Sequence, residues 1–329
     1  MIIKSPSRLH LTLIDMNGSY GRIDGGIGLT IKDPNFVLYG EPAEKGITVD
    51  FKDNTQFNDV IRNECVSKIT SAAQKVIDHF DIDEGFYFRV DKAYLPHSGL
   101  GSGTQMGLST GKLIAEHIDA YSNGYSLGEI IGRGGTSGIG VFSFDFGGFI
   151  VDGGHSLKSK SSFLPSSASQ AKPPQLLAHY DFPDDWEILL VILDSKNTVN
   201  GQKEVNIFQD YCPVPKNEVE QTSHIIFMNM IPFLLERDLP AFGHSIDEIQ
   251  KRGFKNVEVS LQSQQIRDLM DKLREIGAYG VGMSSFGPTV YSVFDKNNKH
   301  IVEEIKEYVG NRGIVLTTKA QNYGHEIQK

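Results

Sequence analysis

Three glycines at alternate positions, Gly99, Gly101 and Gly103, lie in the segment PHSGLGSGTQ (96–105), directly ahead of a helix-like pattern. Glycine lets a backbone turn tightly and bring its N–H groups close to a ligand. At the start of a helix, those groups and the positive end of the helix dipole form an anion site. The segment therefore predicts a phosphate-binding loop, with a glycine-rich turn of no special function as the alternative.

The polar side chains of this loop have possible uses of their own. Ser102 or Thr104 would cap the helix through a side-chain oxygen, and either would also contact a phosphate oxygen. His97 precedes the glycines and would donate a hydrogen bond to the ligand; a histidine satisfied within the loop is the alternative. The residues predicted to bind phosphate are His97, Gly99, Leu100, Gly101, Ser102, Gly103 and Thr104.

Arginines are scarce in the glycine-rich segments, which makes those present candidates for binding an anionic substrate. Arg8 lies in the first strand-like segment, Arg22 in the turn GSYGRIDGGIG, and Arg133 in GRGG. A guanidinium binds a phosphate or carboxylate through two parallel hydrogen bonds. A surface ion pair is the alternative for each arginine taken singly.

Composition limits the classes of protein to consider. The 329 residues are 39% hydrophobic, which suffices for two domains with a core each, and they carry a net charge of -9. This charge argues against general nucleic-acid binding. No apolar run reaches membrane-spanning length, and the two cysteines, Cys65 and Cys212, have no disulfide-framework or metal-site spacing. We therefore expect a soluble cytoplasmic protein that binds neither nucleic acid nor membrane.

Hydrophobic periodicity predicts the elements that position these residues. In the N-terminal part, strands are expected at 8–14, 27–31, 46–51, 85–91 and 147–154, and helices at 60–80 and after the glycine loop. In the C-terminal part, a strand at WEILLVIL precedes three amphipathic helical stretches up to Ile276, strands near 279–283 and 288–294, a helix at 298–311 and a strand at IVLTT. Glu204 and Glu236 fall on predicted helices and are expected to be solvated.

One stretch interrupts this pattern. Residues 156–174 are rich in Ser, Lys and Pro, which predicts an interdomain linker or a mobile loop. The resulting division is an N-terminal domain at 1–155, a linker or mobile loop at 156–180 and a C-terminal α+β domain at 181–329.

The segment PHSGLGSGT resembles the P-x-x-x-G-L-G-S-S-A loop of the GHMP small-molecule kinase superfamily, which includes galactokinase, homoserine kinase and mevalonate kinase. SRLHLTLIDMNGSYGRIDGGIGLTI stands where those enzymes have their first substrate-side strand, and GVGMSSFGPTVYSVF where they have a late glycine-rich motif. The resemblance implies a two-domain α+β fold. Its N-terminal domain would be like the second domain of ribosomal protein S5, its C-terminal domain ferredoxin-like, and the active site would lie between them.

One position departs from the kinases of this superfamily that use a catalytic base. Their segment S-G-[IV]-D-x6-G-G supplies an Asp that takes the proton of the substrate hydroxyl or orients it. This sequence has TSGIGVFSFDFGGF, in which Ser137, Gly138 and Ile139 match but Gly140 replaces the Asp. Glycine cannot act as a base, so the kinase reaction is disfavoured, although some members of the superfamily work without this Asp.

The full set of motifs resembles one branch of the superfamily, the β-ribofuranosylaminobenzene 5′-phosphate synthases of the archaeal-type tetrahydromethanopterin pathway. The set comprises PSRLHLTLIDMNGSYGRIDGGIG, PHSGLGSGTQ, GRGGTSGIG with GGFIVDGGH, DFPDDWEILLVIL and SSFGPTVYSV. The resemblance implies the condensation of phosphoribosyl pyrophosphate with 4-aminobenzoate or 4-hydroxybenzoate. Pyrophosphate and carbon dioxide leave, and the product carries a carbon–carbon glycosidic bond.

Under this interpretation the glycine loop holds the leaving pyrophosphate, and Mg²⁺ enters with it. A carboxylate stabilises a ribosyl cation, and Asp24 is the candidate, with turn formation as the alternative. The predicted catalytic residues are Asp24, Arg8 and His10. The predicted substrate-binding residues are Arg22, Gly25, Gly26, Arg133, Ser137, Ser284, Ser285 and Gly287.

The resemblance also implies partners and cofactors. We expect the two substrates, a homodimer, Mg²⁺ and no nucleotide cofactor. The sequence assigns no metal ligand and does not choose between the two benzoates. An ATP-dependent small-molecule kinase and a non-catalytic ligand sensor of the same fold are the alternatives.

Overall fold

Two β-sheets with helices packed on them make up the computed structural model, which describes residues 1–52, 57–194 and 201–329. The strands are β1 (Ile2–Asp15), β2 (Arg22–Ala43), β3 (Ile47–Phe51), β4 (Gly85–Lys92), β5 (Phe149–Asp152), β6 (His155–Ser156), β7 (Leu176–Tyr180), β8 (Glu187–Leu193), β9 (Tyr279–Met283), β10 (Thr289–Phe294), β11 (Gly313–Lys319) and β12 (Glu326–Gln328).

The helices cover the predicted helical segments and add to them. They are α1 (Asp59–Phe80), α2 (Ser102–His117), α3 (Gly124–Ile131), α4 (Ile139–Asp145), α5 (Gly201–Tyr211), α6 (Lys216–Ile225), α7 (Ile231–Glu236), α8 (Leu239–Gln250), α9 (Gly253–Ser260), α10 (Gln264–Glu275) and α11 (His300–Val309), with a π-helical turn at Ile226–Met230. The prediction of three helical stretches before Ile276 was wrong, because short turns divide that region into α5–α10. None of the helices in the described parts of the chain is both long enough and apolar enough to cross a bilayer.

The first sheet is built around the long antiparallel pair β1 and β2. Its order is β12-β1-β2-β4-β3, and β5 joins β2 and carries β7 at its other side. Arg8 pairs with Thr30 and His10 with Gly28 across β1 and β2. Helices α1 and α2 pack on each other, and α2 also contacts β1 and β2. The start of α2, with the glycine loop before it, is thereby held beside the middle of β1.

The second sheet has the antiparallel order β11-β8-β10-β9, which is that of a ferredoxin-like domain. Strand β8 is buried on both faces, because Ile188 and Leu190 belong to the core shared with the first sheet, while Leu189 and Val191 belong to a core with α10 and α11. This two-sided burial explains the uninterrupted apolar run of the strand.

The segment of residues 156–180 packs onto the first sheet. Strand β7 pairs with β5 along Phe149–Asp152, and Lys160 and Ser169 within the segment are buried. The segment is therefore part of the packed N-terminal structure. Its residues 165–167 line the cleft of the candidate site.

Candidate active site

A cleft with a volume of about 520 Å³ lies where the glycine loop meets the late glycine-rich segment. Its walls come from β1, α1, the start of α2, the loop before α4, the serine-rich segment, α5, α9 and the turn after β9. The predicted site residues that line it are Arg8, His10, His97, Gly99, Gly101, Ser102, Gly103, Thr104, Arg133, Ser137, Ser285 and Gly287.

The glycine loop has the backbone that its sequence predicts. Gly99 and Gly101 have φ values of 87° and 81°, in the left-handed region that favours glycine. A Cβ atom at Gly99 would lie 2.3 Å from the carbonyl oxygen of Ser284. Gly101 is the N-cap of α2, and no side chain caps the helix. The predicted cap by Ser102 or Thr104 is therefore wrong, since a residue without a side chain occupies the capping position.

Arg8 ties this loop to β1. Its backbone N–H donates to the Leu100 carbonyl at 3.2 Å, and its guanidinium donates to the Gly99 carbonyl. A Cβ atom at Gly101 would lie 3.2 Å from atoms of the Arg8 side chain, so the loop needs glycine there to let the guanidinium approach. Burial lowers the pKa of Arg8 to about 10, and the side chain stays charged at neutral pH.

Two more cations, Lys68 and Arg133, lie near Gly103 at the start of α2. Lys68, on α1, lies 3.6 Å from Glu64, and the imidazole of His97 lies 3.7 Å from the same carboxylate. The Arg133 guanidinium lies beside Gly103: a Cβ atom added to Gly103 would be 3.2 Å from Nη2 of Arg133. Within the described residues, the Arg133 guanidinium has no ion pair or side-chain hydrogen bond, and burial lowers its pKa. An anion in the cleft would supply the missing partner.

We call the loop Gly99–Thr104 with Arg8, Lys68 and Arg133 the cationic wall. His10 lies next to it: its backbone N–H donates to the Ser284 hydroxyl at 3.0 Å, and its Nδ1 has no hydrogen-bond partner in the described structure. Burial, with the charges of Arg8 and Lys255, lowers the pKa of His10 well below its usual value. His10 is therefore a neutral imidazole whose buried Nδ1 has no hydrogen-bond partner among the described residues.

A second part of the cleft lining differs in chemistry. We call Leu13, Glu204, Phe208, Glu258 and Phe286 the acidic wall; all five line the cleft. Glu258 pairs with Lys255, and burial raises the pKa of Glu258. Burial, together with the charge of Glu258, raises the pKa of Glu204 to about 7. Glu204 is half-buried rather than fully solvated as predicted, whereas Glu236, at the end of α7, is exposed as expected.

The floor of the cleft includes Gly140, which replaces the Asp of base-using kinases. A Cβ atom at Gly140 would lie 3.2 Å from Cγ2 of Thr104, so a side chain at 140 would project beside the glycine loop. Ser137 donates to Asp152 at 3.1 Å, and the Gly138 N–H donates to the same oxygen at 2.9 Å. Burial raises the pKa of Asp152 to about 7. Asp152 positions Ser137 from behind the floor.

The remaining predicted residues lie behind the walls or outside them. Asp24 is buried, and its Oδ2 lies 2.7 Å from His155 Nδ1 and 2.9 Å from Lys160 Nζ. Arg22 is exposed and donates to the carbonyls of Gly153 and Gly154. The predicted site residues that do not line the cleft are Arg22, Asp24, Gly25, Gly26, Leu100 and Ser284.

These residues outside the lining still support the site. Ser284 donates to the Gly99 carbonyl at 2.7 Å and so fastens the glycine loop to the C-terminal domain. A Cβ atom at Gly26 would lie 3.0 Å from the Ser137 hydroxyl, so a larger residue there would displace Ser137 in the floor of the cleft. Asp24 holds Lys160, whose Nζ also donates to the Leu164 carbonyl at 3.0 Å. That contact orders the chain directly before the cleft-lining residues 165–167.

Sequence reasoning missed several lining residues. They are Leu13, Glu64, Lys68, Gly134, Thr136, Pro165, Ser166, Ser167, Gly201, Glu204, Phe208, Glu258 and Phe286. Most lie on helices or in the serine-rich segment, without a local motif. One usable signal was the spacing of Glu204 and Phe208, which puts a carboxylate and an aromatic ring on the same face of α5.

The described residues offer no ready-made metal site. No group of three or more His, Cys, Asp or Glu side chains among them is placed to hold a metal ion. Of the carboxylates that line the cleft, Glu204 and Glu258 belong to the acidic wall, and Glu64 lies beside Lys68.

Comparisons with known proteins connect this cleft to a family. Residues 230–314 match the family described as GHMP kinases C terminal. The β-ribofuranosylphenol 5′-phosphate synthase of Methanothermobacter thermautotrophicus is 48% identical over 324 residues, which are 98% of this chain and 97% of that protein. The protein of the same name from Methanocaldococcus jannaschii is 44% identical over 335 residues, covering 99% of this chain and 100% of its own.

Solved structures extend the likeness to the whole fold. A mevalonate kinase has a TM-score of 0.69 at 13% identity and covers 98% of this chain and 99% of its own. Homoserine kinase from Cytophaga hutchinsonii has a TM-score of 0.67 at 14% identity; the match covers 99% of this chain and 96% of the kinase. At these identities the likeness is one of fold. It confirms the predicted two-domain α+β class.

Proposed function

The chain belongs to the β-ribofuranosylphenol 5′-phosphate synthase family, and we propose that it condenses phosphoribosyl pyrophosphate with 4-hydroxybenzoate. Pyrophosphate and carbon dioxide would leave, and a C-riboside 5′-phosphate would form. The phenol in the relatives' name favours 4-hydroxybenzoate over 4-aminobenzoate as the acceptor. Tetrahydromethanopterin biosynthesis, a cytoplasmic location and a homodimer belong to the same proposal.

One observation carries this proposal: the cleft keeps the glycine loop with its neighbouring cations but has Gly140 where base-using kinases have their Asp. A side chain at 140 would enter the space beside Thr104, and Arg8 and Arg133 line the same cleft. A polyanion fits there, while no carboxylate at position 140 can take a proton from a substrate hydroxyl. The arrangement suits a reaction in which a phosphate group is held and released as a leaving group.

Each part of the cationic wall then has a role. The free N–H groups at the start of α2, with Arg8 and Arg133, would bind the pyrophosphate as negative charge builds up on it. Preorganised donors of this kind commonly lower a barrier by several kcal/mol. His10, neutral and with one unpaired nitrogen, would hydrogen-bond a ribose or phosphate oxygen. Mg²⁺ would be held by the pyrophosphate oxygens and would neutralise part of their charge.

The test is a decarboxylation assay with purified protein. Phosphoribosyl pyrophosphate, Mg²⁺ and carboxyl-labelled 4-hydroxybenzoate are mixed, and labelled carbon dioxide is counted with and without ATP. We expect release that requires the phosphoribosyl donor and is indifferent to ATP, and slower release from 4-aminobenzoate. No release from either benzoate would contradict the proposal, and ATP consumption with small alcohols would then support the kinase alternative.

A further inference from the structure

We propose that Glu204 is the base that accepts the proton of the acceptor's 4-hydroxyl group. This inference rests on the proposed function and adds to it the position of the aromatic ring and a catalytic residue. It starts from the acidic wall, which the family motifs do not cover.

The acidic wall combines apolar side chains with a carboxylate, which is the polarity that a phenol requires. Phe208 and Phe286 are 3% and 7% exposed, and both pack on Phe254. The ring centroids of Phe208 and Phe254 are 4.7 Å apart, and those of Phe254 and Phe286 are 6.0 Å apart. Leu13 belongs to the same apolar cluster. Glu204 stands one helical turn before Phe208 on α5, so its carboxylate lies at the edge of this apolar surface.

Charge orients the two substrates in the cleft. Phosphoribosyl pyrophosphate is a polyanion, and Glu204 and Glu258 would repel it, whereas Arg8, Lys68 and Arg133 attract it. The donor therefore occupies the cationic wall, and the space beside Glu204 is left for the acceptor. Placed with its carboxylate toward the cations and its ring on Phe208, the acceptor turns its 4-hydroxyl group toward Glu204.

The two carboxylates of the acidic wall are not equivalent. Glu258 is committed to its ion pair with Lys255, which also donates to the Met283 carbonyl at 3.1 Å. No cation among the described residues lies within ion-pair distance of Glu204, whose polar neighbour is the hydroxyl of Ser167. Burial beside Glu258 raises the pKa of Glu204 to about 7, which suits a group that takes up and returns a proton near neutral pH.

The proton transfer fits the reaction. When Glu204 takes the phenolic proton, the electron pair left on oxygen raises the electron density at the para carbon, which carries the carboxylate. That carbon bonds to C1 of the ribose as the bond from C1 to pyrophosphate breaks. The bond to the carboxylate then breaks, carbon dioxide leaves, and its electron pair restores the aromatic ring. Glu204 returns the proton to the oxygen, so protons and charges balance over the cycle.

The experiment compares two acceptors in wild type and in Glu204→Gln. The first acceptor is 4-hydroxybenzoate; the second is 3,5-difluoro-4-hydroxybenzoate, whose fluorines leave the hydroxyl largely ionised before it binds. We expect Glu204→Gln to lower kcat with 4-hydroxybenzoate by roughly 100-fold or more, the usual range for loss of a general base. With the ionised acceptor, which needs no base, the loss should be only a few-fold.

A matched control and a pH profile separate this role from a structural one. Asp210→Asn makes the same carboxylate-to-amide change at an exposed position of α5 and should leave both rates unchanged. The wild-type kcat should rise with pH up to the ionisation of Glu204, and Glu204→Gln should lose this rise. Equal losses with both acceptors, or no loss with 4-hydroxybenzoate, would overturn the proposal. An inactive wild type would instead overturn the proposed function.

Discussion

The cationic wall and the acidic wall line one cleft, yet they are built in opposite ways. The cationic wall centres on a contiguous loop, Gly99–Thr104, which Arg8 and Ser284 hold from both sides. The acidic wall brings together residues from β1, α5, α9 and the turn after β9, which are far apart in the chain. A wall made from one backbone segment can be recognised in a sequence, whereas a wall made by packing exists only in the fold.

The largest loss of activity and stability is expected at Gly99, where the cationic wall is packed against the backbone of Ser284. Gly99→Ala would place Cβ 2.3 Å from the Ser284 carbonyl at a φ of 87°, so the loop must move. We expect carbon dioxide release to be abolished and the free energy of unfolding to fall by about 3 kcal/mol or more. Gly46→Ala is the control, with a φ of 77° and no atom within 4 Å, and should cost only about 1–2 kcal/mol. Equal costs would show that the loop is not tightly packed.

The next effect concerns Asp24, which the sequence assigns to catalysis and the structure places in a buried ion pair. Lys160→Met would leave the Asp24 carboxylate with His155 alone and loosen residues 165–167 of the cleft. Breaking a buried ion pair typically costs about 3–5 kcal/mol. We expect Asp24→Asn and Lys160→Met to lower stability alike in urea unfolding, and the double variant to show less than the sum. An Asp24→Asn protein of full stability and no activity would restore the catalytic role.

A smaller effect distinguishes two arginines that the sequence treats alike. Arg133 lines the cleft without a partner in the described structure, whereas Arg22 is exposed and bound to the carbonyls of Gly153 and Gly154. Arg133→Ala should raise KM for phosphoribosyl pyrophosphate by roughly 10- to 100-fold, the loss of one charge-assisted contact. Arg22→Ala should change it by less than about 2-fold. A larger effect at Arg22 would mean that the donor extends beyond the cationic wall.

The smallest effect is a pH dependence of stability from the acidic wall. Glu204 has its pKa raised from 4.5 to about 7, so the folded state binds this proton more tightly than the unfolded chain does. Its unfavourable contribution is therefore absent below pH 4.5, grows as the pH rises towards 7 and is complete above it. Glu204→Gln should raise the thermal midpoint at mildly alkaline pH and leave it unchanged near pH 4.5. An equal gain at both pH values would contradict the raised pKa.

Local sequence predicted the elements whose pattern is set within a few residues. The apolar alternation at 85–91 predicted β4, and the glycines at 99–103 predicted the tight turn that leads into α2. Catalysis and turn formation are the alternatives that local sequence offers for Asp24, and its buried ion pair could not be predicted, because the partner Lys160 lies 136 residues away. Glu204 was misjudged because a glutamate on an amphipathic helix is normally solvated. Only the packing of α5 against the cleft reveals its burial.

The most direct test of the two-wall account is a crystal structure of Glu204→Gln with phosphoribosyl pyrophosphate and 4-hydroxybenzoate bound. The account predicts the pyrophosphate on the loop Gly99–Thr104 with Arg133, and the benzoate ring on Phe208 with its 4-oxygen within hydrogen-bond distance of the residue 204 side chain. Pyrophosphate bound beside residues 204 and 258, or a benzoate ring in the glycine loop, would contradict it.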